Sequence, residues 1–578
     1  MSTSRRQGAY NARVSAALDA KDRHHTPHKA NGDEQKYANI NYLMSFTKGL
    51  CHDATTGLLE DPHDFMAFRQ AIDDGEIDTF TNRVRVPDCA DGRRQWEAPT
   101  AGMAYDLQGP DCQAVTMAPA PALGSDELDF EMAEVYELAL LRDTALSEFN
   151  ESGGAGISGS VARLNDLQYA KDEFPVRPRT VGGNGFLTKQ TAFRGSSPGV
   201  EKGPYVSQFL WIGNGDPIHG RIAYGPQEIS QKVKQATDDD FMTTLTDWHT
   251  VQQGCKVNKS NGTDGGQNFT GNRRFICTPR DMATYVHVDQ LYQAYLNAAL
   301  ILLGMGTPFD SSFSHLSGKR KSFPAHGPRD LNAGGFALYG GPHILTLVTE
   351  VATRALKAAR FQKFNTHIRA RPEVLAARLH CADVIKAAHP EICNTLSDMR
   401  NDLGDTIAAV QAHNGSTSAL LPMAFAEGSP MHPAYAAGHA SVAGACVTVL
   451  KAFFDTGAQL IERTKGSDGP KVGFFGPDAD ATDTFVQYVP DATGNALIQQ
   501  TCPCPLTLEG ELNKLAANIS IARNMAGVHY FSDYYDSLRM GEEIAIGLLE
   551  EQALCYPTDP FVMSVQTFDG DTVRIGAR

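Results

Sequence analysis

The chain lacks a basic excess, a membrane-length apolar run and a dense set of cysteines. Its 578 residues carry 51 Lys and Arg against 67 Asp and Glu, a formal net charge of −16. That balance argues against general binding to nucleic acid or to acidic membranes, which needs a positive surface. The longest apolar runs, such as 296–303, are too short to cross a bilayer, and this one reads as part of a buried helix. The polar start Met1-Ser2-Thr3-Ser4-Arg5-Arg6-Gln7-Gly8 leads into no apolar stretch of the kind a secretory signal needs. A soluble protein, cytoplasmic by default, is therefore expected. Eleven scattered cysteines are too sparse for a disulfide scaffold, although one or two bridges fit, and the spacing does not give their pairing. Cys502-Pro503-Cys504 has one residue between its thiols and no second pair nearby, a poor spacing for zinc.

What is present is an ordinary globular composition, 42% hydrophobic and 20% charged, in a chain longer than one average domain. Helical apolar spacing predicts helices near 10–20, after Asp61-Pro62, and over 127–149, 281–303, 343–364, 372–388, 392–412, 439–455 and, with one interruption, 509–553. Strand-like pieces are few, with 205–212 as one, and a hairpin is expected around Asp569-Gly570. The Gly153-Gly154-Ala155-Gly156 run follows a helix and lacks a phosphate-loop pattern, so it reads as a connector. His24, His25 and His28 sit in a polar stretch that reads as an exposed loop. Long helices without alternating strands predict a mainly α protein built on a helical bundle. The expected organisation is 1–279 as a helical and loop region, 280–556 as the bundle core and 557–578 as a hairpin tail.

One stretch carries chemistry. Met431-His432-Pro433-Ala434-Tyr435-Ala436-Ala437-Gly438-His439 runs into a small-residue helix whose first N–H groups and positive dipole end form a seat for an oxyanion. Gly438 lets an anion approach the backbone closely. Cations are available at Lys363, near a helix end, and at Arg371, which precedes Pro372 and is therefore pushed into an extended link. Arg523 and His529 lie on different faces if their helix is continuous, and Gly527 offers a break that lets both point one way. Asp533, four residues after His529, is spaced to orient the imidazole. Taken singly, these cations also suit solvated helix ends, and His529 a satisfied core position.

Together Lys363 with Arg371-Pro372, Ala437-Gly438-His439, and Arg523 with His529 and Asp533 resemble the three-part signature of vanadium-dependent haloperoxidases and type 2 phosphatidic acid phosphatases. The resemblance is closest to red-algal-type vanadium bromoperoxidases and extends to residues 45–50, 348–358 and 421–430. It implies the helical-bundle core of that group, with irregular loops and a few short strands. It implies vanadate bonded through His529 and held by Lys363, Arg371, Arg523 and the Gly438 backbone, with His439 as the acid–base group. His432 matches the additional histidine of the bromoperoxidases, where chloroperoxidases usually carry an aromatic residue, and Arg360 matches an arginine lining the halide side of the pocket; packing or solvated roles are equally open for both. The implied reaction is oxidation of halide, bromide or iodide foremost, by hydrogen peroxide to a halogenating species that reacts with a small organic acceptor. Phosphate as an alternative occupant, a structural calcium and a homo-oligomer, a dodecamer among the possibilities, are also implied. The shared pocket leaves a phosphatase with a phosphohistidine at His529 as the alternative, and a non-catalytic anion binder as a third reading. The chain departs from the familiar Ser-Gly-His at Ala437, which removes one hydroxyl donor to vanadate.

Overall fold

A helix that is apolar on every side must be surrounded, and this rule fixes the centre of the protein. In the computed structural model, which describes residues 3–257, 266–313, 335–392, 394–464, 471–476, 483–556 and 562–576, every residue of 440–453 in the Gly438–Phe453 helix is buried. Helices Gly341–Phe361, Leu508–Met525 and Phe531–Ala553 pack around it. Against Phe531–Ala553 the approach is backbone to backbone. A Cβ added to Gly444 would lie 1.9 Å from the Leu538 carbonyl oxygen, and one on Gly541 would lie 2.0 Å from that of Ser441. These contacts set the height of the central helix and hence of its amino end.

The protein is mainly α, with several boundaries moved for physical reasons. Asp61 caps Pro62–Asp74 by accepting the His63 N–H at 2.9 Å. The helix expected over 127–149 is Asp126–Leu140, capped by Ser125, and ends well before Phe149. The glycine run at 153–156 does more than connect. It opens an Ala155–Asn165 helix whose Ile157, Val161 and Leu164 are buried at helical spacing. The strand expected at 205–212 is replaced by a single turn, Gln208–Leu210, because Ser207 caps it and the Gln208 side chain bonds both backbone groups of Tyr488.

The expected 281–303 helix is two helices, Pro279–Tyr285 and Gln293–Met305, with a break between them. Gly341–Phe361 continues into a wider π turn, Gln362–His367. The segments expected at 372–388 and 392–412 are each divided, into Pro372–His380 and Ala382–Ala388, and into Thr395–Asp402 and Gly404–His413. The interruption expected within 509–553 falls at Gly527, whose φ is +85°.

An antiparallel sheet of four strands, in the order Lys471–Gly476, Gln459–Arg463, Asp483–Pro490 and Leu497–Thr501, is inserted between the central helix and Leu508–Met525. It was not expected from the sequence. The tail hairpin pairs Val562–Gln566 with Thr572–Gly576 and buries Met563, Val565, Phe568 and Ile575. His28 is tied down, its Nε2 at 2.9 Å from the Gln113 carbonyl oxygen and its Nδ1 accepting from Gln362. Cys89 and Cys255 form a disulfide, while Cys502 and Cys504 are free thiols. Most of the irregular 308–341 stretch and of the loop at 260–266 lies outside the described residues.

Candidate active site

The segments around 363–371, 430–439 and 523–533 converge at the amino end of the Gly438–Phe453 helix. Pro372 does what its neighbour's sterics demand. Arg371 sits at φ −81° and ψ 160°, extended, immediately before the Pro372–His380 helix. Its buried guanidinium donates from Nε to the His432 carbonyl oxygen at 2.9 Å, from Nη1 to the Val528 carbonyl oxygen at 2.7 Å, and from Nη2 to His432 Nδ1 at 2.7 Å. Burial lowers its pKa to about 10. Lys363 stands on the π turn, a kind of irregularity common at functional positions. It is fully buried and donates to the carbonyl oxygens of Pro433 at 2.6 Å and Ala434 at 2.9 Å.

His529 is held so that one nitrogen is defined as a donor and the other as an acceptor. Its Nδ1 lies 2.7 Å from Asp533 Oδ2, and its Nε2 lies 2.9 Å from Arg371 Nη1. A carboxylate accepts and a guanidinium donates, so Nδ1 carries the hydrogen and Nε2 the lone pair. Burial, then the charges of Arg371, Lys363 and Arg523, press the imidazole pKa well below its ordinary value and keep the ring neutral. Asp533 is itself fixed, because Arg369 donates to its Oδ1 at 2.8 Å while also pairing with Glu131 and lying over the Tyr530 ring at 4.0 Å.

A cavity of about 410 Å³ opens in front of these groups, with Arg360, His432, Gly438, His439, Arg523 and His529 in its wall. Lys363, Arg371 and Ala437, also singled out from the sequence, stand behind that wall and not in it. Arg523 donates from Nη1 to the Val286 carbonyl oxygen at 2.5 Å, while its buried Nε has no partner. Arg360 likewise has a buried Nε without a partner. His439 Nε2 lies 3.0 Å from Asp289 Oδ1, so Nε2 donates and Nδ1 is left to accept. Burial alone would raise the Asp289 pKa, but His439 and Arg523 hold it below the ordinary value. His432 accepts at Nδ1 from Arg371 and turns Nε2 to Glu97 Oε2 at 3.4 Å. Burial, then Arg360 and Lys363, lower the His432 pKa strongly.

The donor set fits a tetrahedral oxyanion. Partnerless guanidinium nitrogens, helix-start N–H groups and a lone-pair imidazole nitrogen share one concave surface, and buried donors of this kind are costly unless something accepts from them. At Ala437 the backbone N–H donates to Ser537 Oγ at 2.8 Å, and no side-chain cap is present on the helix.

No family model matches the chain. Among curated proteins it is 39% identical to the vanadium-dependent bromoperoxidase of Corallina pilulifera, over 99% of this chain and 98% of that one. It is 38% identical to the enzyme of the same description from Corallina officinalis, with the same coverage. The chain belongs to the vanadium-dependent bromoperoxidases. A solved homohexameric structure, the second vanadate-dependent bromoperoxidase of Ascophyllum nodosum, superposes with a TM-score of 0.76 at 26% identity, covering 99% of this chain and 90% of that one.

Several groups at this bromoperoxidase cavity were not singled out from sequence. Asp289 and His287 come from the break after Tyr285, where His287 stacks on Phe425 at 3.8 Å and bonds Gln267 and Glu427. Apolar spacing on both sides concealed this break. Glu97 comes from an irregular loop with no motif, and Arg369, which stands behind the wall against Asp533, has no sequence signal of its own although it lies two residues before Arg371. Among the described residues no helix is long and apolar enough to cross a membrane.

Proposed function

We propose that this protein oxidises halide, bromide and iodide foremost, with hydrogen peroxide in a vanadate-dependent reaction, giving hypohalous acid or an equivalent halogenating species that transfers halogen to a small organic acceptor. The observation that supports it best is the neutral His529 with its Nε2 lone pair fixed by Asp533 beside four buried cations, Lys363, Arg371, Arg523 and Arg360. His529 Nε2 would bond the metal. Arg523 and the Gly438 N–H would hold the vanadate oxygens from the wall, and Lys363 and Arg371, behind it, would turn donors now given to the Pro433 and Ala434 carbonyl oxygens and to His529 Nε2 toward the same anion. Vanadate, remaining at oxidation state +5, supplies Lewis acidity toward hydrogen peroxide.

The chain's own groups do the rest. His439, with Nε2–H committed to Asp289, accepts and returns a proton at Nδ1. Oxidation of one halide by one hydrogen peroxide consumes one proton and releases water with the hypohalous acid, so a proton-handling group beside the seat is required. Arg360 and His432 face the halide from the cavity wall.

Phosphate is expected to occupy the same seat in the absence of vanadate. A structural calcium belongs to the same reading. Among the described residues no group of three His, Cys, Asp or Glu side chains could hold a metal ion. The protein is expected to be a homo-oligomer, a hexamer or dodecamer. Tyr10, Val14 and Leu18 expose an apolar stripe on the Thr3–Asp22 helix that suits such contacts from the 1–279 region.

The test strips bound oxyanion, adds vanadate or phosphate, and measures peroxide-dependent bromination of a dye beside hydrolysis of a phosphate ester. Bromination with vanadate alone is expected. Ester hydrolysis without bromination would overturn the reading.

A further inference from the structure

The wall of the cavity contains a carboxylate that the proposed reaction does not use. Glu97 sits on a loop anchored by the Cys89–Cys255 disulfide, by its own N–H donating to the Met431 carbonyl oxygen at 3.1 Å, and by Trp96 Nε1 donating to the Lys48 carbonyl oxygen at 2.9 Å. Its backbone is thus pinned, while its side chain stays 44% exposed. Glu97 Oε2 lies 3.5 Å from Arg360 Nη2 and 3.4 Å from His432 Nε2, so one oxygen faces both groups. His432 Nε2 carries the N–H, because Nδ1 accepts from Arg371 at 2.7 Å, a closer contact than its 3.2 Å approach to the Pro433 carbonyl oxygen.

The two donors, Arg360 Nη2 and His432 Nε2, face one point in the cavity wall, where an anion can accept from both. Arg360 is a buried cation whose Nε has no partner, and its contact with Glu97 is too long for a good hydrogen bond. Leu356, one turn earlier on the same helix, adds an apolar side wall next to Gly438. A cation, one N–H and an apolar wall describe a site for a large, weakly hydrated anion. An attached carboxylate at its rim repels any free anion that enters.

We infer that Glu97 is a specificity-determining residue, an internal anion that competes with halide for Arg360 and His432 and so raises the halide concentration the enzyme needs. The inference rests on the halide-oxidation reading. Halide entry must displace Oε2 from these two donors, and Glu97 swings toward solvent through its exposed side.

The experiment compares bromide dependence of peroxide-driven bromination in vanadate-loaded parent, Glu97→Gln, Glu97→Ala and Glu97→Asp proteins, with vanadate affinity titrated for each. Removal of the charge in the Gln and Ala variants should lower KM for bromide about tenfold, by more than any change in kcat, whereas the Asp variant stays near the parent. Vanadate affinity should be shared by all four. An unchanged or raised bromide KM in both uncharged variants, with the parent active, would overturn the inference alone. Parallel weakening of vanadate binding would make Glu97 a structural support and would also overturn it. A parent inactive in bromination would remove the halide reading and the inference with it.

Discussion

Asp533 Oδ2 accepts the Nδ1–H of His529 at 2.7 Å, and this bond decides which imidazole nitrogen is free for a metal. Arg369 locks the partner oxygen of the same carboxylate at 2.8 Å. The oxyanion seat is therefore organised from behind, by buried groups that do not line the cavity.

Asp533→Asn is expected to weaken vanadate binding, because an amide cannot fix the tautomer as a carboxylate does. Loss of such a support to a metal-binding histidine typically costs about 10–100-fold in affinity. Vanadate titration followed by bromination activity measures it, and unchanged affinity would show that the tautomer is set elsewhere.

Ala437→Ser should tighten vanadate binding by restoring a hydroxyl donor, a gain of about 1.5–3 kcal/mol for a bond to a charged group. The position is also a helix N-cap, where serine stabilises by about 1 kcal/mol relative to alanine. Thermal unfolding without vanadate separates the two effects. A raised Tm with unchanged vanadate affinity would assign the hydroxyl to the helix alone.

Gly541→Ala places a methyl group 2.0 Å from the Ser441 carbonyl oxygen, so the two helices must part. Overpacking of this kind costs about 1–3 kcal/mol. Because Ser537 on the same helix holds the Ala437 N–H, vanadate affinity should fall together with Tm. A lower Tm with full affinity would separate the helix contact from the seat.

Acid should destabilise the fold through its buried histidines. Burial pushes His52 and His367 down to about 3, from an ordinary value of 6.5. Below about pH 6.5 the unfolded chain takes protons that the native rings refuse, so stability present above that pH is lost as pH falls toward 3. His52→Gln should flatten the dependence of Tm on pH between about 6.5 and 4, and an unchanged slope would contradict this assignment.

The parts of the site legible in sequence were those carried by short, mechanistically constrained strings. Arg371 before Pro372, Gly438-His439 at a helix mouth and Gly527 between Arg523 and His529 each have a local steric reason for their geometry. Asp289 and Glu97 have none. Asp289 reaches His439 only because the 281–303 periodicity yields to tertiary bonds at Val286, His287 and Asp289. The four-stranded sheet has its own signal in Phe485-Val486-Gln487-Tyr488-Val489. Val486 and Tyr488 are buried there and alternate with the half-buried Phe485, Gln487 and Val489, a short period-two pattern that the long helices on either side overshadow.

The most direct measurement is the vanadium retained, and the bromination supported, by parent and His529→Ala proteins loaded with vanadate and freed of excess by gel filtration. One vanadium per chain with peroxide-dependent bromination in the parent, and neither in a folded His529→Ala protein, is the predicted result. A His529→Ala protein that keeps its vanadium and its activity would contradict the account.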